Sequence, residues 1–138
     1  MKKRLIIFSV AIMAFLAMPL RVAANSTRTT GYMGGYGVSG YVEIGASSAW
    51  AYTDCQYPNP YCKVSLIYYY VDERNGQVIP NDGSSAGPST YVNCRVFRKK
   101  GDEGNDFRSY KATSTHYVAF GAYTWGAKPN EIELSVYY

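Results

Sequence analysis

Apolar and polar side chains alternate along most of the chain with a period of two residues, which is typical of β-strands with one buried face. The longest such run extends from Cys62 to Asp72, and both of its faces carry apolar or aromatic side chains. A strand of this kind is expected to lie in the middle of a sheet. The run 107–121 is long for one strand and is expected to bend near Ser114. Further alternating runs predict strands over 38–44, 46–53, 90–98, 123–125 and 131–138.

Turn-forming residues separate these runs. Asn75-Gly76 predicts a tight hairpin turn, because both residues tolerate a positive φ. The return strand is expected to be short, over 78–79, and to end at Pro80, since proline cannot donate a hydrogen bond to a sheet. Residues 81–89 are rich in Gly, Ser and Pro and are expected to form a polar loop.

Short strands at this spacing favour an all-β fold. Good helix formers are scarce: after residue 24, leucine occurs only at Leu66 and Leu134, whereas tyrosine occurs fifteen times. Tyrosine, valine and threonine suit the pleated, half-buried surface of a sheet. A chain of 138 residues has room for one compact domain. The sequence therefore predicts a small antiparallel β-sandwich of six to eight short strands, with an open β-barrel as the alternative.

The first 24 residues are typical of a secretory signal peptide. Basic residues at the start precede an apolar run, and small residues favour cleavage after Ala24. We therefore expect a secreted, extracellular protein without a transmembrane segment after cleavage, because the apolar run is too short to span a bilayer and does not recur. The expected divisions are a signal peptide over 1–24, a flexible N-terminal lead-in over 25–37 and a single sandwich domain over 38–138.

The charge balance changes when this leader is removed. The whole chain carries a formal net charge of +4, but four of its fourteen basic residues lie in the leader, so ten remain against ten acidic residues. A protein that binds nucleic acid needs a surplus of cations to displace the counterions of the phosphates. The sequence therefore argues against nucleic acid as a partner.

Residues suited to catalysis are scarce. The chain has one histidine, no clustered Cys and His ligands and no phosphate-binding loop. Glu131 and Glu133 could imitate the carboxylate pair of a glycosidase, but neighbours on one strand do not face each other across a cleft. The acidic turn 102–106 lacks the ligand spacing of a calcium-binding EF-hand loop. We therefore expect no enzymatic activity, no catalytic residues, no metal and no cofactor.

The odd number of cysteines leaves at least one of the three without a partner in the chain. Export exposes thiols to oxidising conditions, in which disulfides persist. Cys55 and Cys62 bracket a short loop that contains two prolines, so a Cys55–Cys62 disulfide is expected. A bridge between Cys62 and Cys94 is the alternative, because both residues belong to the inward faces of predicted strands.

Tyrosines at outward strand positions are the most informative surface feature. Tyrosine and tryptophan offer rigid, amphipathic area for stacking on sugar rings or for protein contacts, and a cluster on one outer face would mark a binding surface. The alternative is that each tyrosine only packs the second face of a covered sheet. The candidate binding tyrosines are Tyr41, Tyr69, Tyr91, Tyr117 and Tyr137.

Six basic residues gather in the segment from 95 to 111, which is expected to form a hairpin. They could meet anionic wall polymers or lipid head groups, or they could be solvated charges that protect a sheet edge from aggregation. The candidate binding cations are Arg95, Arg98, Lys99, Lys100, Arg108 and Lys111.

Three segments of the chain resemble a known class of secreted proteins: GYGVS at 35–39, the segment 113–125 with its Thr-His pair and later Trp, and SVYY at 135–138. They resemble small secreted all-β proteins of Gram-positive bacteria, including lactococcin-type bacteriocins of the β-sandwich kind. The resemblance implies a secreted sandwich that interferes with cell-wall synthesis at the septum. It assigns no residue to a site, and this chain is longer than those bacteriocins and carries cysteines that they generally lack.

An excess of aromatic residues without catalytic groups predicts a secreted, non-enzymatic protein that binds at the bacterial cell surface or wall. Its expected partner is a cell-wall glycan or a surface protein. The first alternative is a bacteriocin-like toxin against related bacteria, and the second is a glycan-processing enzyme that uses Glu131 or Glu133. The leading hypothesis requires Tyr69, Tyr91 and Tyr117 to remain accessible after folding.

Overall fold

Nine β-strands and no helix make up the part of the chain that the structure describes. The structure is a computed structural model, and it describes residues 25–98, 106–126 and 131–138. The strands are β1 (Asn25–Met33), β2 (Tyr36–Ile44), β3 (Ser48–Cys55), β4 (Tyr61–Asp72), β5 (Gln77–Gly87), β6 (Tyr91–Phe97), β7 (Phe107–Phe120), β8 (Tyr123–Trp125) and β9 (Ile132–Tyr137).

The strands form two antiparallel sheets that pack face to face. The four-stranded sheet has the order β1-β2-β3-β6, and the five-stranded sheet has the order β5-β4-β7, with both β8 and β9 paired to the other side of β7. The predicted all-β sandwich is therefore confirmed, with nine strands rather than six to eight. The central position expected for the run from Cys62 to Asp72 is also confirmed, because β4 lies between β5 and β7.

The core lies between the two sheets and is formed by the inward positions of alternating strands. β2 contributes Val42 and Ile44, and β4 contributes Val64 and Leu66, all fully buried. β6 follows the same alternation, with every second side chain directed into the core. Removing these apolar side chains from water is the main force that holds the sheets together.

The segment 25–37 departs from the sequence-based expectation. It is not a flexible lead-in, because it forms β1 and the start of β2, and all nine residues of β1 pair with β2. The sequence concealed this strand because β1 lies at the edge of the sheet, where most of its side chains stay in contact with water. A polar edge strand lacks the apolar alternation by which buried strands are recognised.

The strand after the Asn75-Gly76 turn is longer than expected. The turn itself is confirmed, with Gly76 at a φ of 73°, but β5 does not end at Pro80 and continues to Gly87. Residues 81–89 are therefore mostly strand rather than loop. The proline is tolerated because β5 is an edge strand of its sheet, so one side of its backbone has no ladder partner that needs a donor.

The long strand β7 is continuous over all fourteen of its residues, and its pairing with β4 keeps one register through Ser114, where the sequence suggests a bend. Its irregularity lies earlier, in the pairing with β4, where the register shifts between Tyr69 and Tyr70 and leaves Tyr110 between paired residues. An extra residue of this kind changes which side chains face inward. Beyond it the even-numbered side chains of β7 enter the core, and His116 is one of them.

A polar cluster around His116 interrupts the apolar core. The imidazole is fully buried, with Nδ1 2.8 Å from the hydroxyl of Thr53 and Nε2 2.7 Å from that of Ser114. The Thr53 hydroxyl donates to the carbonyl of Lys63 at 2.9 Å. It therefore accepts from the N–H at Nδ1, and Nε2 accepts from Ser114. Burial lowers the pKa of His116 to about 4, so the ring is neutral at pH 7.

The three cysteines, all in the described part of the chain, are buried free thiols, so the expected Cys55–Cys62 disulfide is wrong. The loop between these residues carries the chain from β3 in one sheet to β4 in the other. Both thiols lie on the buried sides of their strands, among the apolar side chains of the core. Cys62 is likewise not bridged to Cys94. Burial raises the pKa of the Cys62 thiol to about 12, which makes it unreactive at neutral pH.

Candidate functional site

Four aromatic side chains form a continuous surface on the solvent-facing side of the four-stranded sheet. Tyr41 on β2, Trp50 and Tyr52 on β3, and Tyr91 on β6 make up this surface, which we call the aromatic strip. Strand pairing places Tyr41 directly opposite Tyr52, and their rings stack at a centroid distance of 5.1 Å and an angle of 21°. The cross-strand register therefore brings the rings into contact.

Tyr52 lies at the centre of the aromatic strip. Its ring centroid is 5.3 Å from that of Trp50 and 5.1 Å from that of Tyr91, in addition to its stacking on Tyr41. Trp50 also contacts Tyr41, at 5.6 Å. Aromatic pairs contribute about 0.5–1.5 kcal/mol each beyond the area that they bury. The four rings therefore hold one another in a defined arrangement.

β3 places its large side chains outside and its small ones inside. Its outward positions carry Trp50 and Tyr52, whereas Ala49, Ala51 and Thr53 point inward and are buried. Most strands with one buried face bury their large apolar residues, because that removes more apolar area from water. The opposite arrangement in β3 leaves two large aromatic side chains partly exposed on the outer face of the sheet.

Polar groups border the aromatic strip on the side of β1. The guanidinium of Arg28 lies 5.9 Å from the ring centroid of Tyr52, and it donates to the Ser39 hydroxyl at 3.3 Å. That hydroxyl donates in turn to the carboxylate of Asp54. These contacts fix a cation and an anion next to the aromatic rings.

The same groups line a pocket of about 320 Å³ between β1, β2 and β3. Gln56 also lines it, and the backbone N–H of Gly37 donates to the side-chain oxygen of Gln56 at 3.0 Å. Hydrogen-bonding groups held in place beside an apolar surface are the usual composition of a ligand site. The pocket adjoins the aromatic strip at Arg28, and the two together form the candidate site.

The hydroxyls of Tyr41 and Tyr91 stay protonated at neutral pH, because the pKa of each is raised. Burial raises the pKa of Tyr41, and so does its hydrogen bond to Glu43. Burial likewise raises the pKa of Tyr91, together with the nearby Tyr52 and Asp54. These two side chains are therefore neutral over the physiological pH range.

Two of the five candidate tyrosines, Tyr41 and Tyr91, belong to the aromatic strip, and Tyr91 is 41% exposed. The other three lie on the outer face of the five-stranded sheet, with Tyr69 on β4, Tyr117 on β7 and Tyr137 on β9. Tyr69 and Tyr117 are half-buried. Folding thus leaves the candidate tyrosines accessible but divides them between two opposite faces of the sandwich.

Sequence reasoning missed Trp50 and Tyr52, the two members of the aromatic strip on β3. The period-two pattern places both on one side of this strand, opposite Ala49 and Ala51, but it does not say which side faces solvent. That choice depends on the pairing with β2, where Val42 lies opposite Ala51 and faces the core.

The expected basic hairpin is wrong, because β6 and β7 belong to different sheets. Lys99 and Lys100 lie outside the described residues. The described cations of the segment contact separate partners: Arg95 lies over the ring of Phe97, Arg98 over Phe107 and Lys111 over Tyr137, and Arg108 is 3.7 Å from Glu73. The described cations therefore do not form a single basic surface.

Glu131 and Glu133 do not face each other across a cleft. Glu131 lines a groove on the outer face of the five-stranded sheet, and Glu133 lies two residues along the same edge, opposite Thr115. Of the acidic turn 102–106, only Asp106 belongs to the described residues. Within those residues, no group of three or more His, Cys, Asp or Glu side chains is placed to hold a metal ion.

Comparison with known proteins yields no relative, since no protein-family model, no curated protein and no solved structure matches the chain. In the described ranges, no helix has the length and apolarity needed to cross a membrane. The class that fold and site define is an antiparallel β-sandwich whose four-stranded sheet carries an aromatic outer surface.

Proposed function

We propose that this protein is a secreted, non-enzymatic binding protein of the bacterial cell surface, and that it contacts cell-wall glycan through the aromatic strip. The observation that carries the proposal is the continuous contact among the four rings on an outer sheet face. Soluble proteins rarely expose a contiguous apolar patch that has no partner.

A glycan suits this site because it offers two kinds of contact. Sugar rings present C–H faces that stack on aromatic rings, and their hydroxyls need hydrogen-bond partners when water is displaced. The aromatic strip supplies the first contact, and Arg28, Asp54 and Gln56 in the adjoining pocket supply the second. A purely apolar ligand would displace water from these polar groups without offering them any further hydrogen bond.

The charges around the aromatic strip favour a ligand of low net charge. Arg28 and Asp54 are linked through the hydroxyl of Ser39, and Tyr41 donates to the carboxylate of Glu43. Both signs of charge thus lie close to the rings. We therefore expect stacking rather than ion pairing to dominate binding, with little dependence on salt.

Co-sedimentation of the secreted protein with purified Gram-positive cell walls tests the proposal. The protein should pellet with the walls at low and at high salt. Tyr52→Ala removes the central ring of the aromatic strip, and truncation of a central aromatic contact costs about 2 kcal/mol of binding free energy. We therefore expect wall binding to weaken by about thirtyfold.

Tyr110→Ala is the control variant. Tyr110 lies on the five-stranded sheet, 5.7 Å from Tyr137, so its truncation removes a surface aromatic ring of the same type from the opposite face. Its wall binding should match that of the wild type. Equal losses in the two variants, or wild-type protein that stays in the supernatant, would refute the proposal.

A further inference from the structure

The described turns between strands lie at two opposite ends of the sandwich. One end holds the turns that follow β1, β3, β5 and β7. There the backbone N–H of Gln56 donates to the carbonyl of Gly37 at 2.9 Å, and that of Cys55 donates to the carbonyl of Thr90 at 2.9 Å. β2, β4 and β6 run in the opposite direction and terminate at the other end.

The two ends differ in charge. The sequence has no Asp, Glu, Lys, Arg or His over 29–42, 55–62, 83–94 and 117–126, which include the four turns at the first end. We call this the uncharged end. The other end carries described charges of both signs, on Asp72, Glu73, Arg74, Arg98, Asp106 and Arg108. β4 runs from one end to the other with twelve residues, a length of about 40 Å.

Aromatic rings pack against one another at the uncharged end. Phe120 stacks on Tyr57 at a centroid distance of 4.1 Å. The rings of Tyr36 and Tyr123 lie 5.7 and 5.6 Å from that of Phe120. Phe120 is buried, whereas Tyr123 is 53% exposed and Tyr32, in the same hairpin as Tyr36, is 83% exposed. Exposed tyrosines therefore surround an apolar base.

The turns that carry these tyrosines are made of the smallest residues. The turn after β1 consists of Gly34 and Gly35, and the turn after β7 consists of Gly121 and Ala122. Gly34 has a φ of 58°, and a Cβ there would lie 3.0 Å from the ring of Tyr123. The two turns thus pack closely together, and the flanking tyrosines supply the bulky side chains at their tips.

We propose that the uncharged end docks on the surface of a lipid bilayer, with its tyrosine rings at the level of the headgroups. Tyrosine favours this level of a membrane, because its ring is apolar while its hydroxyl keeps a polar partner. The rings of the uncharged end do not belong to the aromatic strip, so the inference goes beyond the proposed function and does not rest on it.

The nearest charges set the depth of docking. Beside the turn 56–60, the first charged residues are Asp54, one residue inside β3, and Lys63, two residues inside β4. Strand residues rise by about 3.3 Å each, so the uncharged layer here is on the order of 10 Å deep. Elements that lie at a membrane surface insert by about 5–10 Å. Docking to this depth leaves both charges in water.

The composition of the uncharged end also indicates the kind of bilayer. Anionic membranes attract clusters of Lys and Arg, and the four turns of this end contain neither. The match is therefore with a bilayer of zwitterionic lipids, whose surface has no net charge. Because no ion pair is formed, salt should have little effect on docking.

The exposed aromatic area favours a lipid surface over a protein partner. The exposed fractions of Tyr32, Tyr36 and Tyr123 are 83%, 38% and 53%. Together they leave roughly 350 Å² of tyrosine in contact with water, taking about 200 Å² for a whole tyrosine. A stable protein interface buries about 800 Å² of each partner, whereas a bilayer accepts separate rings without a matched surface.

Flotation with phosphatidylcholine vesicles tests the proposal. The secreted protein should float with the vesicles at low and at high salt, and the addition of an anionic phospholipid should not increase the bound fraction. Ala122→Asp places a charge in the turn between β7 and β8. It should weaken vesicle binding by about tenfold, because an unpaired charge would have to leave water.

Ala46→Asp is the matched control, since it makes the same substitution in the turn between β2 and β3 at the opposite end. Ala46 and Ala122 are both exposed, so both variants should keep the wild-type melting temperature, and Ala46→Asp should float like the wild type. Tyr32→Ala is a second variant without an added charge. It should weaken binding by about threefold, because it removes one exposed ring.

Three results would overturn the proposal: wild-type protein that does not float, equal losses in Ala122→Asp and Ala46→Asp, or flotation with anionic vesicles alone. Sedimentation without lipid tests a second copy of the chain as the occupant, and a dimer that Ala122→Asp dissociates would assign the uncharged end to self-association instead. The vesicles contain no glycan, and Tyr52→Ala should float like the wild type. Failure of this proposal is therefore distinguishable from failure of wall binding by the aromatic strip.

Discussion

The two outer faces of the sandwich use the same residue type in different ways. On the four-stranded sheet, Tyr41 and Tyr52 lie opposite each other and become part of one continuous aromatic surface. On the five-stranded sheet, Tyr117 lies opposite Lys63 and Tyr69 lies opposite Lys111. Tyrosine therefore forms a stacking surface on one face, and on the other face it alternates with charged side chains.

This difference shows that cross-strand register, rather than the number of tyrosines, decides whether the rings on a sheet face contact one another. A row of rings in contact offers area on which another ring can stack, whereas a tyrosine opposite a lysine lies beside a single charge. Both faces rest on the same buried layer, which includes His116 between Thr53 of one sheet and Ser114 of the other.

Acidification should destabilise the buried layer beneath both faces, and this is the largest effect that we expect. His116 has an ordinary pKa of 6.5 and a pKa of about 4 in the folded protein, so the unfolded chain binds more protons between these values. The stability that the neutral ring contributes is complete above pH 6.5 and is lost as the pH falls towards 4, by roughly 3 kcal/mol.

Urea unfolding at a series of pH values measures this effect. The free energy of unfolding should fall as the pH is lowered from 6.5 to 4.5. A free energy that stays constant over this range would show that His116 is not buried as a neutral ring.

Gly40→Ala should destabilise the protein, because the added methyl group would enter the core beneath the aromatic strip. A Cβ at Gly40 would lie 2.5 Å from Cγ of His116, and the ring is held by hydrogen bonds on both sides. Overpacking of this kind costs about 1–3 kcal/mol. Gly87→Ala is the matched control, because nothing lies within 4 Å of its added Cβ. Thermal unfolding should separate the two, and equal melting temperatures would contradict the packing described for His116.

Tyr91→Ala tests the contrast between the two sheet faces, because Tyr91 can be compared with a tyrosine of similar exposure on the other sheet. Tyr91 is 41% exposed and Tyr110 is 39% exposed, but only Tyr91 belongs to the aromatic strip. Tyr91→Ala should weaken wall binding by about fivefold, since the ring lies at the end of the strip and contributes about 1 kcal/mol. Tyr110→Ala should leave wall binding unchanged in the same pelleting assay. A reversed order would place the wall-binding surface on the five-stranded sheet.

Arg28→Gln should have the smallest effect. Its guanidinium lies 5.9 Å from the ring centroid of Tyr52 at an accessible site, where a cation–π contact contributes about 0.5–1 kcal/mol. We expect wall binding to weaken by about threefold. Arg108→Gln removes a cation of the five-stranded sheet that lies 3.7 Å from Glu73, and it should not alter wall binding. A loss for Arg108→Gln as large as that for Arg28→Gln would indicate a general charge effect.

Much of the fold could be predicted from local patterns. Period-two alternation identified β4 and its central position, and the Asn75-Gly76 pair identified the turn that follows it. The two strands that were missed or shortened, β1 and β5, are edge strands. The polar side chains of β1 and the proline of β5 are compatible with strand structure because each strand has a neighbouring strand on one side only.

Less of the candidate site could be predicted, for a related reason. Alternation identified Tyr41 and Tyr91 as outward residues, but it could not tell that Trp50 and Tyr52 face solvent. It also could not tell that Tyr117 and Tyr137 belong to the other sheet. These facts depend on which strands pair and in which register, and pairing between distant segments leaves no local signal in the chain.

The most direct test of the aromatic strip as the contact surface is the fluorescence of Trp50. The chain contains two tryptophans, so Trp125→Phe leaves Trp50 as the only one. Soluble fragments of cell-wall glycan should change its emission in a saturable manner, and the additional change Tyr52→Ala should weaken this response by about thirtyfold. Emission that stays constant while the same protein pellets with walls would show that binding occurs away from the aromatic strip and would contradict the proposal.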